Sequence, residues 1–422
     1  MCQNFCIFAK PLMLLKYLNI MMKKIIIALL LVCSGFGMCA QTATVQGDWT
    51  GSLKVSGVKL NLVFHFSKDA CTMDSPDQGA KGVQAQILHF SDDSISVAIP
   101  KIGVKYFGHL QGDSIVGTFK QVFLSESLVL KRGEVKRNRP QTPKPPYPYA
   151  TKEITIQSGD AQLSGTLTMP ENAAKAPLVL LISGSGQQNR DEELFEHKPF
   201  AVIADYLARN GVASFRYDDR GAGKSTGLDK NYTTEVAKND AVEILKVLRR
   251  DVKASAYGIC GHSEGGLIAF MIAGEQPKLV NFIITLAGTA ERGDTIIKRQ
   301  YKHLNPNFSD AQCQQLLQTA VSQSKWAEWF INYDPAQVIK AIKCPVMALN
   351  GELDTQVYAD QNFRALKSLL KVKKGDVVKK YPGLNHLFQT ATTGEATEYP
   401  NIEETISPLV LADILQWLKG LK

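Results

Sequence analysis

Cysteine is scarce in this chain. Eight occur in 422 residues. Cys2, Cys6, Cys33 and Cys39 lie in a leader-like N-terminus, which leaves Cys71, Cys260, Cys313 and Cys344 for the remainder. Four in so long a stretch exclude a disulfide scaffold. Cys260 and Cys344 adjoin apolar runs and read as buried free thiols. No cysteine pair has zinc-ribbon spacing and no histidine pair makes HExxH, so no metal is expected. A long apolar run is also missing: Ile25 to Val32 is too short for a bilayer span, which takes roughly 20 residues. Charge of one sign is modest. The formal net charge is +8, and removing Lys10, Lys16, Lys23 and Lys24 with the leader leaves 8 − 4 = +4. The excess sits in Lys131, Arg132, Lys136, Arg137, Arg139 and Lys144 against Glu134. With the rest near neutral, a nucleic-acid groove is excluded. No internal repeat or low-complexity tract is visible.

What is present divides along the chain. Lys23-Lys24, a short apolar core and small residues up to Ala40 describe a secretory signal peptide over 1–40. Met22 opens the same pattern and is an alternative start. The expectation is an exported chain, periplasmic or extracellular, with no stable membrane span after cleavage. Residues 41–135 hold short runs rich in Val, Ile, Leu and Phe, such as GDWTGSLKV and KLNLVFHF, parted by Gly, Asp and Ser turns. They predict a small antiparallel sandwich or barrel, with Trp49 in its core. Residues 136–150 carry Pro140, Pro143, Pro145, Pro146 and Pro148 and read as a semi-rigid linker. From 151 to 422, strands such as PLVLLIS and VNFIITLA alternate with helical segments. That pattern predicts an α/β fold with a mostly parallel sheet and helices on both faces. Residues 291–344 interrupt the alternation, look helical, and are long enough to form a cap.

The chemistry concentrates at Gly261-His262-Ser263-Glu264-Gly265. It is a G-x-S-x-G between an apolar strand (AYGIC) and a helix-forming run. A serine on a sharp strand-to-helix turn holds its hydroxyl clear of the backbone, and the helix N-terminus then faces a developing oxyanion. Serine needs a base. In the chain order nucleophile, acid, histidine, His386 stands after the last predicted strand, and the loop after PVMALN offers Glu352 and Asp354 as acids. Backbone N–H groups of Glu264 and of Ser185, in the Ser183-Gly184-Ser185-Gly186 loop, are the candidate oxyanion donors. RYDDRGAGKSTG (216–227) looks like a phosphate loop but is not one: Asp218 stands where a P-loop has glycine, and Asp218 and Asp219 would repel phosphate. No nucleotide is expected.

At these residues the chain resembles the α/β-hydrolase superfamily. It is most similar to secreted bacterial serine esterases and serine aminopeptidase-like hydrolases. The resemblance rests on SGSGQQNRD, EHKPF, RYDDRGAGKS, GHSEGG, ALNGELDTQV and GLNHLF, and covers about 151–422. It implies a triad of Ser263, Asp354 and His386, and places Arg190, Asp191 and His197 near a pocket. Ser183 departs from the histidine that lipases often carry before the loop glycine. The expected activity is hydrolysis of small carboxylic esters through an acyl-enzyme. Serine chemistry of this kind needs no organic cofactor either. The alternatives are an aminopeptidase with the same triad, acting on short peptides, and a binding protein with an idle hydrolase fold.

Overall fold

Alternation of apolar and polar residues shapes the first part of the chain. Along β1 (Gly47–Val55), Trp49, Gly51 and Leu53 are buried while Asp48, Ser52 and Lys54 are exposed. The same period of two, the signature of a half-buried strand, continues through β2 (Val58–Phe66), β3 (Cys71–Ser75), β4 (Ala80–Phe90), β5 (Ser94–Ile99), β6 (Val104–Gln111), β7 (Ser114–Gln121) and β8 (Leu124–Arg132). In the computed structural model each strand pairs antiparallel with the next, and β8 returns to β1 at Trp49↔Arg132 to close an eight-stranded barrel. Leu53, Phe64, Tyr106, Ile115, Leu128 and Leu130 fill the interior with Trp49, which is fully buried. The Trp49 indole N–H donates to the Val45 carbonyl at 2.7 Å, and the Arg132 guanidinium lies 4.3 Å over the ring. The sequence signals missed β3, β4 and β6. β4 has no fully buried residue, and the inward residues of β6 include Tyr106 and Gly108, so their apolar period is diluted.

The described residues are 44–421 apart from 56–57, 79, 123, 134–136, 172–175 and 228–230. The expected leader, 1–40, lies outside them. Among them no helix is long and apolar enough to cross a membrane. The chain divides between Arg137 and Asn138 into two compact units. The proline-rich segment is pinned along the second unit. Arg139 donates to the carbonyls of Phe195, Pro400 and Ile402, and Gln141 bonds the backbone of Thr405 and Ile406.

The second unit is built on a sheet of eight strands. Its first two, β9 (Ala150–Ser158) and β10 (Ala161–Met169), form an antiparallel hairpin. The others are β11 (Leu178–Ile182), β12 (Ala213–Tyr217), β13 (Tyr257–His262), β14 (Phe282–Leu286), β15 (Val346–Gly351) and β16 (Val377–Tyr381). The order is β9-β10-β12-β11-β13-β14-β15-β16, and all pairs from β12 onward are parallel. Continuous apolar runs suit strands covered on both faces. Leu178, Leu180 and Ile182 face one core, with Ala241 and Leu245 of α2 (Thr234–Asp251), Ile268 of α3 (Glu264–Glu275) and Leu366 of α8 (Ala359–Leu369). Val179 and Leu181 face the other, with Ile203 of α1 (Pro199–Arg209) and Ile414 of α9 (Pro408–Gly420). Between β14 and β15 run four helices: α4 (Gly293–Leu304), α5 (Asp310–Gln323), α6 (Lys325–Asn332) and α7 (Ala336–Ala341).

Candidate active site

Parallel strands leave their carboxyl ends on one edge, where loops can converge on a ligand. Ser263 stands there, at the turn from β13 into α3, with φ 53° and ψ −115°. Few non-glycine residues hold a positive φ, and such strain gathers at functional sites. The flanking glycines make the turn possible. A Cβ on Gly261 would collide with the carbonyl of Gly265, and one on Gly265 would collide with the carbonyls of Ile182 and Ser183.

Asp354 follows β15 and His386 follows β16. His386 Nδ1 and Asp354 Oδ2 are 2.8 Å apart, and both side chains are fully buried. The carboxylate is saturated: Oδ1 accepts from the N–H of Gln356 and of Val357 at 2.8 Å each, and Oδ2 also accepts from Asn350 Nδ2 at 3.0 Å. The competing acid, Glu352, turns outward to Lys380 at 3.3 Å and is half-exposed. Among the described residues, buried His386 Nε2 has no hydrogen-bond partner, so Ser263 Oγ is not bonded to it here. In such sites this contact often tightens only when substrate binds. The His386 ring lies 4.8 Å, centroid to centroid, from that of His262 beside Ser263.

The loop after β11 lies over the serine, since a Cβ on Gly184 would stand 3.3 Å from that of Ser263. The Gly184 N–H donates to Glu192 Oε1 at 2.6 Å. The N–H groups of Ser185 and Glu264 have no acceptor among the described residues. The Glu264 side chain is buried and accepts from Thr234 Oγ1 at 2.7 Å, from the Trp326 indole of α6 at 2.8 Å, and from Ser185. Burial pushes its pKa up, against these three neutral donors.

Residues placed near the pocket by resemblance have other work. Arg190 commits all five N–H donors: Nε and Nη2 to Asp218, Nη1 to Glu153 and Thr166, Nη2 also to Ser164. It braces β9 and β10 against the loop after β12 and has no donor left for a substrate. His197 is buried, with Thr405 Oγ1 at 2.9 Å and the Tyr399 carbonyl at 3.1 Å, and ties down the loop before α9. Asp191 pairs with Arg216. The 216–227 loop is also a brace. Arg220 holds Asp240 and Asp160, Asp218 takes the Lys224 N–H, and Lys224 itself is exposed. Asp219 accepts from Ser183 Oγ at 2.7 Å and from the Gln188 N–H at 2.9 Å, and burial pushes its carboxyl up to about 8. Among the described residues no group of three or more His, Cys, Asp or Glu could hold a metal ion. Cys71, Cys260 and Cys313 are buried free thiols, and Cys344 is half-buried.

The family model described as serine aminopeptidase, S33, matches residues 196–368. It spans the elbow and Asp354, and the strand order with its β12/β11 exchange surrounds both. The chain is 24% identical over 289 residues to esterase EstD of Thermotoga maritima, a match covering 65% of this chain and 68% of that protein. These matches support an α/β-hydrolase of the serine esterase kind. This hydrolase is similar to Est1E of Butyrivibrio proteoclasticus, solved with ferulic acid bound, at 19% identity and a TM-score of 0.46, over 64% of this chain and 98% of that one. It is also similar to a Pyrococcus furiosus esterase, at 18% identity and a TM-score of 0.46, over 68% and 99% of the two chains.

Two groups of the hydrolase's site gave no sequence signal. Glu192 reaches Gly184 and His262 from a backbone with φ 52°, which no local pattern announces. Trp326 meets Glu264 across 62 residues of sequence.

Proposed function

We propose that this hydrolase cleaves small carboxylic esters through an acyl-enzyme on Ser263. The observation that carries the reading is the state of His386: Nδ1 is held by a saturated, buried Asp354, while Nε2 is buried and free to take a proton. In this scheme Ser263 Oγ attacks the ester carbonyl as His386 Nε2 accepts its proton. Asp354 orients the ring and stabilises the imidazolium. The N–H groups of Ser185 and Glu264 hold the oxyanion, His386 returns the proton to the leaving alcohol, and water repeats the sequence in reverse roles. The helices between β14 and β15 act as the cap, with Trp326 reaching the elbow. The leader pattern of residues 23–40 supports export, which detection of a mature N-terminus at Gln41 in the extracytoplasmic fraction would test.

An aminopeptidase would use the same groups, and the S33 description of the matching family model favours that second reading. Against it, Glu264 is only 5% exposed and already holds three neutral donors, so it is a poor seat for a substrate ammonium. The deciding experiment compares short p-nitrophenyl acyl esters with aminoacyl-nitroanilides, on wild type and on Ser263→Ala, beside labelling by a fluorophosphonate. Ester turnover and labelling that both vanish in the variant are expected. Preferred turnover of the anilides would select the peptidase, and a folded wild type that neither turns over nor labels would end the enzyme reading.

A further inference from the structure

The chemistry above leaves one charged pair in the site unused. His262 precedes the nucleophile, and its Nδ1 lies 2.8 Å from Glu192 Oε1, with both side chains buried. Its Nε2 lies 3.0 Å from the backbone carbonyl of His386. The same Glu192 Oε1 accepts the Gly184 N–H at 2.6 Å. One imidazole therefore bridges the oxyanion loop, through Glu192, and the loop that carries the base.

A carbonyl oxygen can only accept, so Nε2 must carry a proton. Glu192 Oε1 already receives the Gly184 donor and is best suited to face a second one, so Nδ1 carries a proton as well. We propose that His262 works as the imidazolium of a buried ion pair with Glu192, and that this pair is a positioning device holding the Gly184–Ser185 loop and the His386 loop in register around Ser263. The kinetic consequence rests on the serine-hydrolase reading above; the charge state does not. A neutral His262 has one N–H and must turn a lone pair on either the carboxylate or the carbonyl. One of the two loops is then released.

The direction of titration agrees. Burial opposes the charge on His262, but the Glu192 carboxylate outweighs it and the pKa lies above the ordinary imidazole value. Raising the pH through that value should therefore unlock the site. The other titratable groups facing the pair are His386 and, beyond it, Asp354 from the last two loops, Cys260 on the same strand, and Asp219 from the loop after β12. Burial keeps the Cys260 thiol protonated. Asp219 titrates near about 8 and needs its own control.

The test uses the full chain and Glu192→Gln, in which the side-chain oxygen can still accept from Gly184. On p-nitrophenyl acetate the variant should lose about 10- to 100-fold in kcat, the scale of a small misplacement of the catalytic groups, with KM little changed. Its alkaline limb should fall by about one pH unit or more as the carboxylate's support is lost. A purely structural loss would lower activity without moving that limb. A limb that stays in Glu192→Gln, or that disappears in Asp219→Asn instead, overturns the proposal. Nitrogen-15 NMR of histidine-labelled wild type, assigned with His262→Asn, reads the charge without any turnover. Two protonated ring nitrogens on His262 are expected at the ordinary imidazole pKa of about 6.5, where a free ring is half neutral, and a neutral ring there overturns the proposal. An inactive wild type with a doubly protonated His262 would instead count against the serine-hydrolase reading alone.

Discussion

Asp354→Asn is the sharpest probe of the proposed chemistry, because the structure dictates which way the new amide must face. Two backbone donors, from Gln356 and Val357, point at Oδ1. The amide oxygen must stay there, which puts the NH2 at the Oδ2 position. That group then confronts His386 Nδ1 at 2.8 Å and the Asn350 amide at 3.0 Å. His386 can satisfy it only by accepting at Nδ1, so its proton moves to Nε2 and points toward the serine. The base is then in the wrong tautomer. The same change in a serine protease triad lowers kcat about 10⁴-fold, which is about 5.5 kcal/mol of lost transition-state stabilisation. The facing amides leave a buried donor unmet, at about 1–3 kcal/mol of stability. Stopped-flow ester hydrolysis, with circular dichroism and thermal melts to establish folding, measures both. A folded Asp354→Asn enzyme within about tenfold of wild-type kcat, far short of the loss a wrong tautomer brings, would refute the assignment of base and acid.

Two further outcomes follow from geometry and burial. Gly265→Ala drives a methyl against the carbonyls of Ile182 and Ser183, which are backbone and cannot rotate away. It should cost about 1–3 kcal/mol in a denaturant melt and about 100-fold in kcat as the elbow shifts from the oxyanion loop; a silent variant would refute the elbow argument. Asp219, pushed up to about 8, keeps a proton when folded that the unfolded chain has released, so folding stability falls as pH rises from its ordinary value toward about 8. Asn keeps an acceptor for Ser183 and Gln188 and removes that term. Thermal melts between about pH 5 and pH 8 should therefore fall less steeply for Asp219→Asn, and identical slopes would count against a protonated Asp219.

The sequence made the second unit legible wherever local rules act. Continuous apolar runs such as PLVLLIS and VNFIITLA gave the parallel strands. The steric demands of Gly261 and Gly265 gave the elbow. Glu352 and Asp354 could not be separated locally, because they share one loop. Only the fold turns the first toward Lys380 and buries the second against His386. Glu192, Trp326 and the pinning of Arg139 depend on contacts between distant segments, which no period or propensity encodes. Only the family resemblance placed Arg190 near a pocket. Its five acceptors come from β9, β10 and the loop after β12, which converge only in the folded chain.

The placement of β11 has a kinetic consequence. It lies at the middle of the sheet, yet both neighbours, β12 and β13, are made after it. Leu178 must wait for Ala213 on one side and Tyr257 on the other. His386 joins only after β16, the last strand, has docked on β15. Pairings so distant in sequence form slowly, because chain closure precedes any gain from contact. The loop over Ser263 and the ring that would deprotonate it thus meet only when the whole sheet exists. Regain of turnover after dilution from denaturant would then report the completed sheet rather than the appearance of secondary structure.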